Sequence, residues 1–386
     1  MASIKLRGDT SGEVTIQAPA VAGTTTLNLP ATSSTLATQN ALGVRNLIIN
    51  GDMRIAQRGT SVSGITGSGY YTCDRFDIGG VSFGTFTQSQ DTDVPTGQGF
   101  ANSIKFLWTT ANASLSTNAF LQMHQSIEGQ NLQHLKKGTA NAETITLSFW
   151  VKSNKTGTYI VNLWDIDNTR LIAKAYTINA VDTWEKKTIT FAGDTVASFD
   201  NDNGRSLDLT FGLCAGTDNS SGTLQTTWGS AVAINRYVGQ VNLADAVNNY
   251  INFTGVQLEV GDTATPFEHL PYDMELARCQ RYFQQISGEN TSTGGLGCAY
   301  HESATSSVLD LRLNTQMRAL PTATVSAASD FVINTPANAA APSSISFYAH
   351  TLSSVRLRLV HVSDSYHARG IRFGATSGRI NADAEL

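Results

Sequence analysis

The sequence predicts a mainly β protein: an N-terminal extended β segment, a central β-sandwich of the jelly-roll kind, one helix and a C-terminal β domain. Three observations predict it. Charged residues are only 15% of the 386, against about 25% in ordinary soluble domains, and Ser, Thr, Asn and Gly fill the gap, a mix suited to strands and turns. Apolar and polar residues alternate with period two in many short stretches. Turn clusters such as "SNKTG", "DNDNGR" and "DNSSG" separate those stretches. The length exceeds one ordinary core, so two or three domains are expected.

Residues 1–44 alternate short apolar runs ("SIKL", "EVTIQA", "TTLNLP") with Gly, Pro and Thr and hold no aromatic residue. Such a segment buries too little surface to offset its ordering entropy and is expected to order only against other chains. Its "RGD" at 7–9 reads as a turn. "NLIINGDMRIAQRG" (46–59) then places Asn50-Gly51-Asp52 as a turn between extended segments.

Over 45–272 the pattern is that of a sandwich. In "ETITLSFWVKS", Ile145, Leu147, Phe149 and Val151 alternate with Thr146, Ser148, Trp150 and Lys152. "TYIVNLWDID", "KKTITFAGD", "SLDLTFGLC" and "TGVQLEVG" read the same way, the last with Val256, Leu258 and Val260 inward and Gln257 and Glu259 outward. The third region, 273–386, opens with a helix in "PYDMELARCQRYFQQI". Asp273 is its N-cap, Leu276, Cys279, Phe283 and Ile286 share one stripe, and Arg278, Arg281 and Tyr282 lie opposite. "SGENTSTGGLG" and "NTPANAAAPSS" read as loops. Alternation resumes over Leu309–Leu313 and Val355–Leu359.

A formal net charge of -5, with only Lys136-Lys137 and Lys186-Lys187 as basic pairs, gives no footprint for nucleic acid. With no apolar leader and no run of apolar residues long enough to span a bilayer, neither a secretion signal nor membrane insertion is expected. Cys73, Cys214, Cys279 and Cys298 lie far apart and read as reduced, mostly buried thiols. The glycosylation triplets at Asn112, Asn154 and Asn252 are chance matches.

Motifs for nucleophilic, phosphate or zinc chemistry are missing from the chain. "DNDNG" (200–204) is an incomplete calcium loop and reads as a turn, and the Asp165/Asp167 pair has no cleft to serve. No enzyme, metal or cofactor is therefore expected. Aromatic residues point to binding. Trp150 and Trp164 alternate with the apolar faces of their own strands, and Tyr237 sits in the polar "INRYVGQ". An exposed ring on a sheet suits the apolar face of a sugar. The other reading is that the tryptophans cover a second layer or a subunit contact.

"NLIINGDMRIAQRG", "YYTCDRF", "LSFWVKS", "TWEKKTITFAGDT" and "FTGVQLEVGDTATPFEHLPYDMELARCQRYFQ", in this order, resemble a family of bacteriophage virion proteins, the tail fibre or receptor-binding proteins. The first 40 residues resemble phage fibre N-termini, and the closing "NADAEL" fits. The resemblance implies a homotrimer with a jelly roll like that of carbohydrate-binding modules. In such modules an N-G-D turn and an acidic last strand can hold calcium. Asp52 matches the turn, but Gln257 stands where an Asp is expected. The implied partners are further copies of the chain, other phage tail or virion proteins through residues 1–44, and a host surface glycan at Trp150, Trp164 and Tyr237. The implied location is the virion, assembled in the bacterial host cytoplasm. A purely structural head fibre or tail decoration is the alternative, and a polysaccharide-cleaving enzyme ranks last.

Overall fold

A computed structural model describes residues 3–7, 12–17, 44–288, 295–334, 339–361 and 368–386. The chain divides into two compact units, Met1–Gly43 and Val44–Leu386. In the first, β1 (Ser3–Arg7) pairs antiparallel with β2 (Glu13–Gln17), Ile4 facing Ile16 and Leu6 facing Val14. Gly8 and Asp9 of the expected RGD turn, and residues 18–43, lie outside the described residues.

The second unit opens with a sandwich. Its strands in chain order are β3 (Ser61–Ile65), β4 (Gly69–Tyr70), β5 (Asp77–Val81), β6 (Thr85–Asp91), β7 (Ser103–Thr110), β8 (Phe120–Glu128), β9 (Ile145–Ser153), β10 (Gly157–Asp165), β11 (Arg170–Ile178), β12 (Glu185–Phe191), β13 (Arg205–Ala215), β14 (Gly229–Ser230) and β15 (Tyr250–Val260). A front sheet runs β12-β9-β15-β7-β6-β3 and a back sheet β14-β11-β10-β13-β8-β5-β4. Alternation sets the inner faces. Leu147, Phe149, Val151 and Phe253 from the front meet Val161, Leu163, Leu209 and Phe211 from the back, all buried. Phe149 and Phe253 each come within 5.1 Å of the Phe211 ring, so the two layers interlock.

The Asn-Gly-Asp turn closes one end. Asn50 adopts φ 60, which Asn tolerates better than most residues, and its amide grips Ile55 O at 2.8 Å, Asp74 O at 3.0 Å and Ile55 N at 2.9 Å. Gly51 lies so close to β15 that a Cβ would meet Val256 O at 2.1 Å. Gln257 and Glu259 point outward as expected yet are buried beneath the chain that follows β15. Gln257 accepts from Glu268 N at 2.8 Å and donates to Glu259 at 2.8 Å. A carboxylate could not do both.

A single helical turn, α1 (Thr217–Ser220), precedes the main helix α2 (Tyr272–Gln280). The sequence placed Phe283 and Ile286 on that helix; instead the chain leaves it at Gln280. Pro271, not Asp273, holds the N-cap position. Residues 283–287 form β16 because a distant strand offers them a ladder, an override that local propensity cannot foresee. Tyr282, expected on the polar side, is buried beside Ile49, Ile55 and Cys279.

The remaining strands are β16 (Phe283–Ser287), β17 (Gly295–Ser303), β18 (Ser306–Arg312), β19 (Thr322–Val325), β20 (Phe331–Asn334), β21 (Ala339–Ala340), β22 (Ser344–Thr351), β23 (Ser354–Val360), β24 (Ala368–Phe373) and β25 (Arg379–Asp383). They build a β16-β25-β19 sheet and a β21-β20-β24-β17-β18-β23-β22 sheet. These enclose a second core that includes Leu309, Leu311, Phe331, Leu357, Leu359 and Phe373. Residues 289–294 and 335–338, in the two expected loops, lie outside the described residues. Cys73, Cys214 and Cys279 are buried free thiols, and Cys298 is exposed.

Candidate functional site

The three aromatic residues singled out by sequence do not meet. Trp150 lies on the outer face of the front sheet, while Trp164 and Tyr237 lie over the outer face of the back sheet.

On the front face, Trp150 stands between Lys186 on β12 and Thr254 on β15. The adjacent rank reads Lys152, Asn252, Lys105 and Ser89. Trp184, the residue ahead of β12, flanks Lys152 from the sheet edge, and Tyr250 opens β15 one rank further on. This register sets three half-buried rings, Trp150, Trp184 and Tyr250, around Lys152. Asp93 ties the group together, accepting from Trp184 Nε1 at 3.0 Å and Lys152 Nζ at 2.7 Å. Burial pushes the Asp93 carboxyl up, but those two bonds outweigh it and hold the group below the usual carboxylate range. Tyr250 donates to Asp182 at 2.5 Å, and Lys105 Nζ sits 5.2 Å from its ring centre. Burial and that carboxylate raise the Tyr250 phenol, which stays neutral. Sequence reasoning missed Trp184 and Tyr250.

The back face is closed. Tyr237 is not an exposed platform, as the sequence suggested, but wholly buried. Its ring lies on Gly212, where a Cβ would meet it at 2.6 Å, and packs with Ile160 and Ala173. Its hydroxyl donates to Gln122 Oε1 at 2.6 Å. Trp164 is half-buried, with the Arg236 guanidinium 4.1 Å from its ring centre.

Elsewhere, Asp165 is fully buried and paired with Lys137 Nζ at 2.7 Å, while Asp167 accepts from Asp200 N at 3.0 Å. Asp165 is thus committed to the fold, and Asp167 is exposed beside it. A cleft of about 450 Å³ opens between Val44–Ile49, the end of β8 and α2. Its Arg281 is bidentate to Glu128, both bonds 2.8 Å, and its Arg278 bonds Asn46 O. Among the described residues no three His, Cys, Asp or Glu side chains group as metal ligands.

No family model and no curated protein matches the sequence. Among solved structures the chain is similar to the enzymatically active domain of bacteriophage CBA120 tailspike protein 4, at 13% identity and TM-score 0.30, over 56% of this chain and 21% of that one. It is similar to a CBM4 module at 14% identity and TM-score 0.28, over 55% of this chain and 98% of the module. It is also similar to TmCBM61, solved in complex with β-1,4-galactotriose, at 9% identity and TM-score 0.29, over 56% of this chain and 99% of that one. The chain spans about a fifth of the tailspike's length.

Proposed function

We propose that this chain is a bacteriophage virion component, a trimeric tail fibre whose front sheet adheres to a host surface glycan without cleaving it. The observation that carries the reading is the set of three partly exposed rings, Trp150, Trp184 and Tyr250, around Lys152 on one sheet face. A sugar ring offers an apolar C–H face rimmed by neutral hydroxyls. Indoles match the first, and the Lys152 ammonium and Asp93 carboxylate beside them match the second, while Asn252 and Thr254 are buried and bonded to Ser103 and Asn102. Lys105, Lys152 and Lys186 are balanced on this face by Asp91, Asp93 and Asp182, which favours a neutral ligand over a polyanion. The virion assignment rests on the sequence blocks that resemble phage fibre proteins, with residues 1–44 joining other tail or virion proteins.

One stacking contact contributes about 1 kcal/mol, so a single site binds in the millimolar to high micromolar range. Three linked copies raise the effective affinity by roughly a hundredfold. Trp150→Ala with Trp184→Ala should abolish adsorption of the purified protein to host cells and leave its melting transition nearly unchanged. Adsorption equal to wild type would remove the front face as the platform. One observation favours the structural alternative: Trp164 and Tyr237 are already occupied by Arg236 and Gln122. Wild-type protein that adsorbs to no host would support it.

A further inference from the structure

We infer that the back sheet holds a second site, a capped one for a neutral polyhydroxy ligand such as a sugar ring, which Arg236 closes by lying on Trp164. The site differs in face and residues from the proposed front platform.

Across four neighbouring strands the register places Asn162, Thr210, His124 and Asp77 side by side, with Trp164, Asp208 and Ser126 forming the adjacent rank. Asn162, Thr210 and His124 are each at most 4% exposed. Yet Thr210 Oγ1, His124 Nδ1, Arg236 Nε and both amide atoms of Asn162 lack a hydrogen-bond partner. The Asn162 amide approaches the Tyr237 hydroxyl without reaching good bonding geometry. Buried polar atoms are almost always partnered. A row of orphans on adjacent strands therefore marks a place shaped to bond something else.

The chemistry of the row names the class of ligand. His124 Nε2 lies 3.4 Å from Asp77 Oδ2, and with the proton on that nitrogen the unpartnered Nδ1 is an acceptor. Burial pushes the His124 pKa down to about 4, which keeps that ring neutral. Thr210 gives and takes a hydrogen bond, as Asn162 does, and Nδ1 only takes. A hydroxyl complements each of the three. Adjacent strands stand roughly 4.8 Å apart, a step comparable to the separation of alternate hydroxyls on a six-membered sugar ring. Trp164 supplies the stacking face at one end.

Arg236 holds that face now. Its guanidinium stacks 4.1 Å from the indole centre, and Nη2 donates to Gln122 Oε1 at 2.8 Å. A planar cation and the C–H face of a sugar compete for one ring. Arg236 and Tyr237 belong to the connection between β14 and β15, which is itself bonded to the α1–β14 connection at Gly222, Thr223 and Gln225, so uncovering the row moves Arg236 off the indole and Tyr237 off Gly212.

The test reads the His124 side-chain nitrogens by NMR during titration with methyl glucoside, methyl galactoside or N-acetylglucosamine. Probe concentrations of about 10–100 mM suit a millimolar site. Arg236→Ala, and Arg236→Gln as the gentler variant, should let at least one probe shift the Nδ1 resonance, with about tenfold tighter apparent binding than wild type. Adding Thr210→Val, nearly isosteric but without the hydroxyl, should abolish the shift, whereas Trp150→Ala should not. An Nδ1 resonance unmoved by every probe in Arg236→Gln and in wild type overturns the proposal and leaves the row to water. So does a shift that survives Thr210→Val. Loss of front-face adsorption with the His124 response intact would separate failure of the first reading from failure of this one.

Discussion

Asp74 lies fully buried behind the Asn-Gly-Asp turn, its two oxygens accepting from Gln57 N at 3.0 Å and Gln57 Nε2 at 2.5 Å. Burial pushes its pKa up to about 6, against the pull of Arg58. Because the folded value lies above the unfolded one, its stabilising share is present at low pH and is lost as pH rises through about 6. That share is on the order of 2–3 kcal/mol. Asp74→Asn should therefore gain on wild type by that amount between about pH 4 and pH 7, measured by urea unfolding. A wild-type-minus-variant difference constant over this range would show that Asp74 does not titrate there. At this scale the sequence was half legible. Trp150 could be placed outward from its strand's alternation alone. Tyr250 was missed because the strand was read from Thr254, although "NYINF" already alternates. Trp184 sits one residue outside a strand, and the burial of Tyr237 depends on Gly212, a contact no local pattern reveals.

The elements that join the sandwich to the C-terminal sheets meet around two arginines. Arg75, fully buried at φ 74, pairs with Glu385, donates to Ser126 O at 2.7 Å and stacks 3.4 Å from the Tyr282 ring centre. Arg58 reaches Glu385 at 3.4 Å and Asp383 at 3.1 Å, with its guanidinium 3.6 Å from the Phe283 ring centre. Glu275 on α2 accepts from Asn50 N, so the Asn-Gly-Asp turn serves as the dock for this helix. Glu385→Ala strands a buried guanidinium and should cost about 3–5 kcal/mol. Replacing the pair by Arg75→Met with Glu385→Leu should cost less than the single change, because no charge is left unpaired. A single-variant loss below about 1 kcal/mol in urea unfolding would mean that the pair acts as a surface contact. Strands were legible wherever one face packs on a core, because burial enforces period two. The end of α2 was not, since β16 forms only by pairing with β25, nearly a hundred residues on.

For the whole molecule, the proposed trimer requires a surface on which copies could meet. The large apolar side chains exposed in the second unit, among them Val81, Val181, Val247, Tyr272, Tyr300 and Leu320, are dispersed along the chain. The first unit differs. Its described part is the β1–β2 hairpin, five residue pairs long, and a lone two-stranded hairpin is at best marginally stable in water. Residues 1–44 also carry no aromatic residue to build a core of their own. Other copies of the segment are a natural source of packing partners for this hairpin, since closed symmetry lets identical short strands satisfy one another. Light scattering on the full-length protein should then give about three times the chain mass of 41.2 kDa. Deleting residues 1–43 should yield a monomer whose sandwich melts as before, because the two cores of Val44–Leu386 lie wholly within the retained chain. A full-length monomer at micromolar concentration rules the trimer out. A truncated chain that stays trimeric places the association surface in residues 44–386 and overturns the role proposed for the first segment.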